Sequence, residues 1–245
     1  MRNNKLDKQD NKNIKKTAFT LAEVLVTLGI VGVVAMLTVP AMVKNYRFKI
    51  YGSSLKKVYS QITDAAQAIM NDEHSTNFYQ TTAGVPNKCK TDTDSFEKGA
   101  CYFLRNYFKS AADCQATADV AATKNPKCVG SSYITKNGED AGNLYGQHCI
   151  LTINGATICM TYHAESPADI TNGVAFIVID VNGPDEPNMI GIDTFGAKIK
   201  PDGTVVDWSN DEEKCNTRAM SDGHIGDWTQ GCLTKVMKNG WKISE

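Results

Sequence analysis

Between Lys15 and Val43 the chain reads KKTAFTLAEVLVTLGIVGVVAMLTVPAMV, and no other segment constrains its fold and placement as tightly. A leader carrying Arg2, Lys5, Lys8, Lys12, Lys15 and Lys16 ends at Thr17-Ala18, and from Val24 to Val43 there is no charge at all. As a helix, the run from Phe19 to Val43 spans about 37 Å, more than the roughly 30 Å of bilayer hydrocarbon. A secretory signal has a shorter apolar core with a small-residue cleavage site after it. Here the small residue, Ala18, precedes the apolar run. Glu23 lies inside the run, where a carboxylate is costly unless paired, which makes it a functional candidate with a partner to be found.

These residues resemble the N-terminal signature of the type IV pilin-like family, which includes type IV prepilins and the pseudopilins of type II secretion. That signature is a basic leader, a small residue, Phe-Thr-Leu-x-Glu and a long hydrophobic helix. The resemblance covers about Lys15 to Tyr51, with Ala18 standing where the family usually has Gly. It implies that a prepilin peptidase cuts between Ala18 and Phe19, that Phe19 is N-methylated, and that Glu23 acts in filament assembly. Pro40 falls where the family commonly has a proline. The implied partners are further copies of the chain and related pilin subunits, the peptidase, an assembly platform protein with its ATPase, and the membrane.

Beyond Val43 the chain carries 20 Lys and Arg against 24 Asp and Glu, so it has no strong footprint for nucleic acid. Positions 44–245 suffice for one domain with its own core. All eight cysteines lie there, an even number that reads as up to four disulfides in an oxidising compartment. Flanking charge leaves orientation open, because Lys44, Arg47, Lys49, Lys56 and Lys57 nearly balance the leader. The cysteines and the resemblance decide for a cytoplasmic N-terminus: a single-pass inner-membrane protein, later in a periplasmic or cell-surface filament.

The helix should continue to Asn71, since Tyr51, Leu55, Val58, Ile62, Ala65 or Ala66, and Ile69 recur at steps of three and four. Gly32 and Pro40 predict a kink or local melting between them. Positions 76–146 read as a variable, disulfide-held loop with one helix near Phe96 to Lys109, too poor in apolar residues for an independent core. A sheet is expected over 149–207. Its elements are a hairpin turning at Asn154-Gly155, a central strand VAFIVIDV from Val174 to Val181, and a short hairpin through Lys200-Pro201-Asp202-Gly203. Positions 208–245 hold a terminal disulfide region with a short helix from Trp228 to Trp241. The expected class is α+β, a long N-terminal helix packed on a three- to five-stranded antiparallel sheet, pilin-like, with a disulfide-rich insertion.

Cys215 and Cys232 are expected to pair, stapling the last helix to the loop before it. Cys149 and Cys159 are expected to pair if the hairpin loop has three residues, Ile153 to Gly155. A two-residue Asn154-Gly155 turn would instead put Cys149 on the other face. The remaining four cysteines would close two bridges within the variable loop.

Asp180, Asn182, Asp185, Asn188 and Asp193 crowd oxygen donors into a Gly/Pro-rich stretch, which makes it a candidate calcium site. The spacing is not that of an EF-hand, and a solvated turn is the favoured reading. His148 and His163 beside Cys149 and Cys159 could suggest zinc or a Cys-His nucleophile; surface strand-end histidines next to disulfides are the simpler expectation. The lysines after the membrane segment, interleaved with Tyr46, Phe48, Tyr51 and Tyr59, read as an interfacial belt. No GxSxG, HExxH, Walker or dinucleotide fingerprint is present. The expectation is a non-enzymatic filament subunit. Its rivals are a minor tip subunit acting as adhesin or DNA-uptake receptor and, further off, a membrane-anchored periplasmic enzyme.

Overall fold

A computed structural model describes residues 19–84, 98–115, 125–142, 144, 148–162, 174–217 and 228–244. Two compact units divide between Asn45 and Tyr46.

The described part of the first unit is helical from Leu21 onward. Helix α1 runs Leu21–Asp72 and carries Pro40 inside it. No residue from Phe19 to Asn45 is buried, and the helix is long and apolar enough to cross a membrane. Of the kink or local melting expected between Gly32 and Pro40, melting is absent, the helical run being continuous. Proline removes one hydrogen bond, a local loss that leaves the rest of the helical ladder intact.

In the second unit α1 presents Tyr51, Leu55, Val58, Ile62, Ala65, Ala66, Ile69 and Met70 to the core. Its partner is a six-stranded antiparallel sheet ordered β1-β4-β5-β6-β7-β8. The strands are β1 Ser110–Gln115, β4 His148–Thr152, β5 Thr157–Tyr162, β6 Ala175–Asp180, β7 Thr194–Ile199 and β8 Val205–Val206. A two-stranded ribbon pairs β2 Tyr133–Ile134 with β3 Asp140–Gly142. The Ser54 hydroxyl donates to the Val181 carbonyl and the Tyr59 hydroxyl to that of Val205, tying α1 to the residue after β6 and to β8. Two short helices, α2 Ala100–Tyr107 and α3 Cys232–Lys238, complete the described elements used below.

The sheet is larger than expected because the region read as a coreless loop contributes its edge strand, β1. Phe78, Phe103, Leu104, Val129 and Tyr133 from that region also lie in the common core. The large apolar residues are few there, but they fall on buried faces. Tyr51 is buried and Tyr59 packs against the core, where it meets Trp241 at 5.3 Å between ring centroids; neither belongs to an interfacial belt.

The first hairpin takes the three-residue option. Thr152 and Ala156 close the loop by hydrogen bond, Gly155 sits at φ 84°, and Cys149 stands opposite Cys159. Those two cysteines are bridged, as are Cys114 with Cys128 and Cys215 with Cys232. Cys101 is also disulfide-bonded, and Cys89 lies outside the described residues.

Candidate functional site

At the start of α1, Thr20 and Glu23 form a reciprocal cap. The Thr20 backbone N–H and hydroxyl both donate to Glu23 Oε2 at 2.8 Å, and the Glu23 backbone N–H donates to Thr20 Oγ1 at 3.2 Å. This is the capping box, Thr-x-x-Glu, which satisfies amide donors that the first helical turn leaves open. The sequence reading missed it, although the Thr20-Leu21-Ala22-Glu23 spacing is its signal. Only Oε2 is used by the cap. Phe19 beside it is 86% exposed, and Ala18 lies outside the described residues. Pro40 is exposed within the helix.

The loop between β6 and β7 is not the solvated turn expected from its composition. Asp180, Asn188 and Asp193 are buried, while Asp185 is exposed and Asn182 half-buried. The loop is closed by the Val181 N–H donating to the Asp193 carbonyl at 2.8 Å. It is pinned to β2 because the Ile134 N–H donates to the Asn188 carbonyl and the Ile190 N–H to that of Ile134. At Gly191 a side chain would run into the sulfurs of Cys215 and Cys232, its Cβ lying 2.9 and 3.3 Å from them, so the terminal disulfide abuts this loop.

Tyr133 donates its hydroxyl to Asp180 Oδ2 at 2.9 Å while accepting the Gly130 N–H, and the Asn182 N–H donates to Asp180 Oδ1. Asp193 Oδ1 accepts the Met189 N–H and the Thr194 hydroxyl. Burial raises the pKa of Asp180 well above the ordinary carboxylate range, and the charge of Asp193 adds to it. Burial also raises Asp193, against the hydrogen bonds that favour its ionised form.

Three oxygens of this loop, Asn182 Oδ1, Asn188 Oδ1 and Asp193 Oδ2, are buried with no hydrogen-bond partner. Amide and carboxylate oxygens are the donors that hard cations take, so the loop fits calcium in donor type. Asp193 with the amides of Asn182 and Asn188 would hold it. Asp185 stands apart by its exposure, and among the described residues no three acidic, histidine or cysteine side chains are grouped for a metal.

His148 is also placed differently from expectation. It is fully buried at the start of β4, with Nε2 2.9 Å from Asp113 Oδ1, and Asp113 is bonded in turn by Arg105 Nε. The Nε2 approach is off the hydrogen-bonding direction, and Nδ1 has no partner. Burial pushes the imidazole down to about 4, with Asp113 working against the shift and Arg105 adding to it. Residue 148 is drawn in by α2, the helix expected near Phe96 to Lys109, and by β1, which was not expected. Cys149 is bridged to Cys159 and offers no thiolate nucleophile; His163 lies outside the described residues. Compared with family models, curated proteins and solved structures, the chain matches none.

Proposed function

We propose that this chain is a structural subunit of a type IV pilus or a type II secretion pseudopilus, polymerised through its N-terminal helix. The observation that carries the reading is a capped helix, apolar on all sides and without a buried residue from Phe19 to Asn45, followed by a unit with its own core. Such a surface needs an apolar environment from outside the chain. Lipid provides it before assembly, and the helices of neighbouring subunits provide it after. Repeated head-to-tail contact of this kind is the heterologous interface that builds open helical filaments.

In this reading the leader is removed between Ala18 and Phe19, leaving a protonatable, methylated amine on Phe19. Among packed apolar helices that cation and the Glu23 carboxylate would each be costly alone. Glu23 keeps Oε1 outside its own cap, so one carboxylate can close its helix and meet the Phe19 amine of a neighbour. The role is structural and not enzymatic. Intact-mass measurement of protein sheared from the native cell surface tests the reading: the mature chain is expected to begin at N-methylated Phe19. Assembled material that retains Met1 to Ala18 overturns it.

A further inference from the structure

A second concave site lies in the folded unit, at the end of β8. Lys198, Lys200, Asp207, Trp208, Ser209 and Asn210 line a cavity of about 350 Å³, within the size range of small-molecule sites. Lys198 pairs across the sheet with Phe176 on one side and Val206 on the other, so the three side chains share a face. Trp208 closes this face. Its indole N–H donates to the Ala197 carbonyl, and its ring meets Phe176 edge-on at 4.9 Å between centroids.

Among the described residues the lining carries two lysines against one carboxylate, Asp207. Asp207 is the carboxylate at hand, but Oδ1 accepts the N–H groups of Ser209 and Gly231, and Oδ2 accepts that of Thr234. It is thereby committed to the start of α3. Neither lysine has an ion-pair partner among the described residues. Burial, and then the charge of Lys200, press the pKa of Lys198 down, with Asp207 acting weakly against them. Among the described residues one positive charge is therefore left over beside the indole wall.

We propose that this cavity binds a uronate residue of an acidic glycan, its carboxylate between Lys198 and Lys200 and the apolar face of its ring against Trp208. Charge-assisted hydrogen bonds from two ammonium groups supply orientation. The aromatic wall is what separates a ring-borne carboxylate from a bare oxyanion, which would use the lysines alone. Nucleic acid is the poorer fit, since it draws affinity from many phosphates along an extended basic track, and this is one small concave site with two lysines. The assignment stands independently of the filament reading.

The test uses the full chain in detergent micelles, titrated with digalacturonate and followed by calorimetry and tryptophan fluorescence. Neutral digalactose, inorganic phosphate and a short single-stranded oligonucleotide are run in parallel. Saturable binding is expected for digalacturonate alone, with affinity falling at least about tenfold in Lys198→Gln/Lys200→Gln. The fluorescence change, but not the fold, should be lost in Trp208→Phe. Lys200→Gln alone, at a half-buried position just after β7, serves should the double variant fail to fold. The proposal is overturned by absence of saturation with digalacturonate, by unchanged affinity in folded Lys200→Gln, or by phosphate or oligonucleotide binding as tightly as the uronate.

Discussion

Helix α1 contains two apolar regions with opposite fates. From Leu21 to Val43 hydrophobic residues occupy every side of the helix, and none is buried. From Tyr51 to Met70 they recur at steps of three and four between polar residues, and that stripe is buried against the sheet. The second region has the pattern of a helix on a core, whereas a helix apolar all round belongs in a membrane or deep within an assembly. Periodicity, more than total hydrophobicity, distinguishes a helix that finds its partner within the chain from one that needs a partner outside it.

The largest effect expected on this contrast is at Glu23. Glu23→Ala should abolish or nearly abolish sheared filament while leaving the protein in the membrane fraction. Glu23→Gln keeps an acceptor for the Thr20 cap but removes the charge. Equal loss of polymer in both variants assigns the defect to charge pairing; rescue by Gln would assign it to the cap, a contribution of about 1 kcal/mol. Normal filament from Glu23→Ala would contradict the assembly role.

A pair of truncations sharpens the same contrast in stability. Ile62→Ala opens a hole in the fully buried stripe and should cost the folded unit about 2–5 kcal/mol. Leu25→Ala removes a 61% exposed side chain and should leave the unfolding midpoint of that unit unchanged. Chemical denaturation of both in micelles compares them directly. A matching loss in Leu25→Ala would mean that the first region is packed after all.

The stripe on α1, the central β6 strand and the 215–232 staple were readable because each is specified locally, by period, by a continuous apolar run, or by one cysteine on a short helix and one in the loop before it. Strand β1 was not. Its sequence SAADCQ alternates weakly, and what makes it a strand is pairing with β4 across a stretch with a register shift at Ser110/Ala112. The β6–β7 loop shows the same limit at the site. Its oxygen donors were visible, but not their burial, because Tyr133 and the 215–232 disulfide arrive from distant positions. Composition gave the chemistry of that loop, and long-range packing gave its environment.

That environment makes the loop a test of intermediate size. With calcium bound at about a hundred times its Kd, mass action adds about 2.7 kcal/mol. Chelator should then lower the melting temperature at pH 7.5, and Asp193→Asn should abolish the difference. Without a cation, the sign is set by the raised folded pKa values of Asp180 and Asp193. Unfolded carboxyls ionise near pH 4, while the buried ones hold their protons to higher pH, so stability falls as pH rises through the folded values. In that case chelator changes nothing, and Asp193→Asn raises the melting temperature at pH 7.5.

His148 should give the smallest effect, with the opposite sign. Buried and pushed down to about 4, it remains neutral in the folded protein at pH values where the unfolded chain, with an ordinary imidazole near 6.5, has already taken up a proton. The unfolded state therefore binds more protons between those values. The stability of holding a neutral imidazole is fully present above about pH 6.5 and drains away as pH falls toward about 4. Because Asp180 and Asp193 act in the reverse direction in much of this window, the wild-type melting curve alone mixes the two. The informative quantity is the gap in melting temperature between wild type and His148→Gln, measured from pH 7.5 to pH 5. That gap should narrow on acidification by a few degrees, since 1 kcal/mol corresponds to about 2–4 °C in a domain of this size. Asp113→Asn removes the one charge that favours protonation at His148, lowers its folded pKa further and should extend the loss to lower pH. A gap that stays constant with pH would mean that His148 keeps an ordinary pKa, and that the 148–113–105 cluster opens to water in solution.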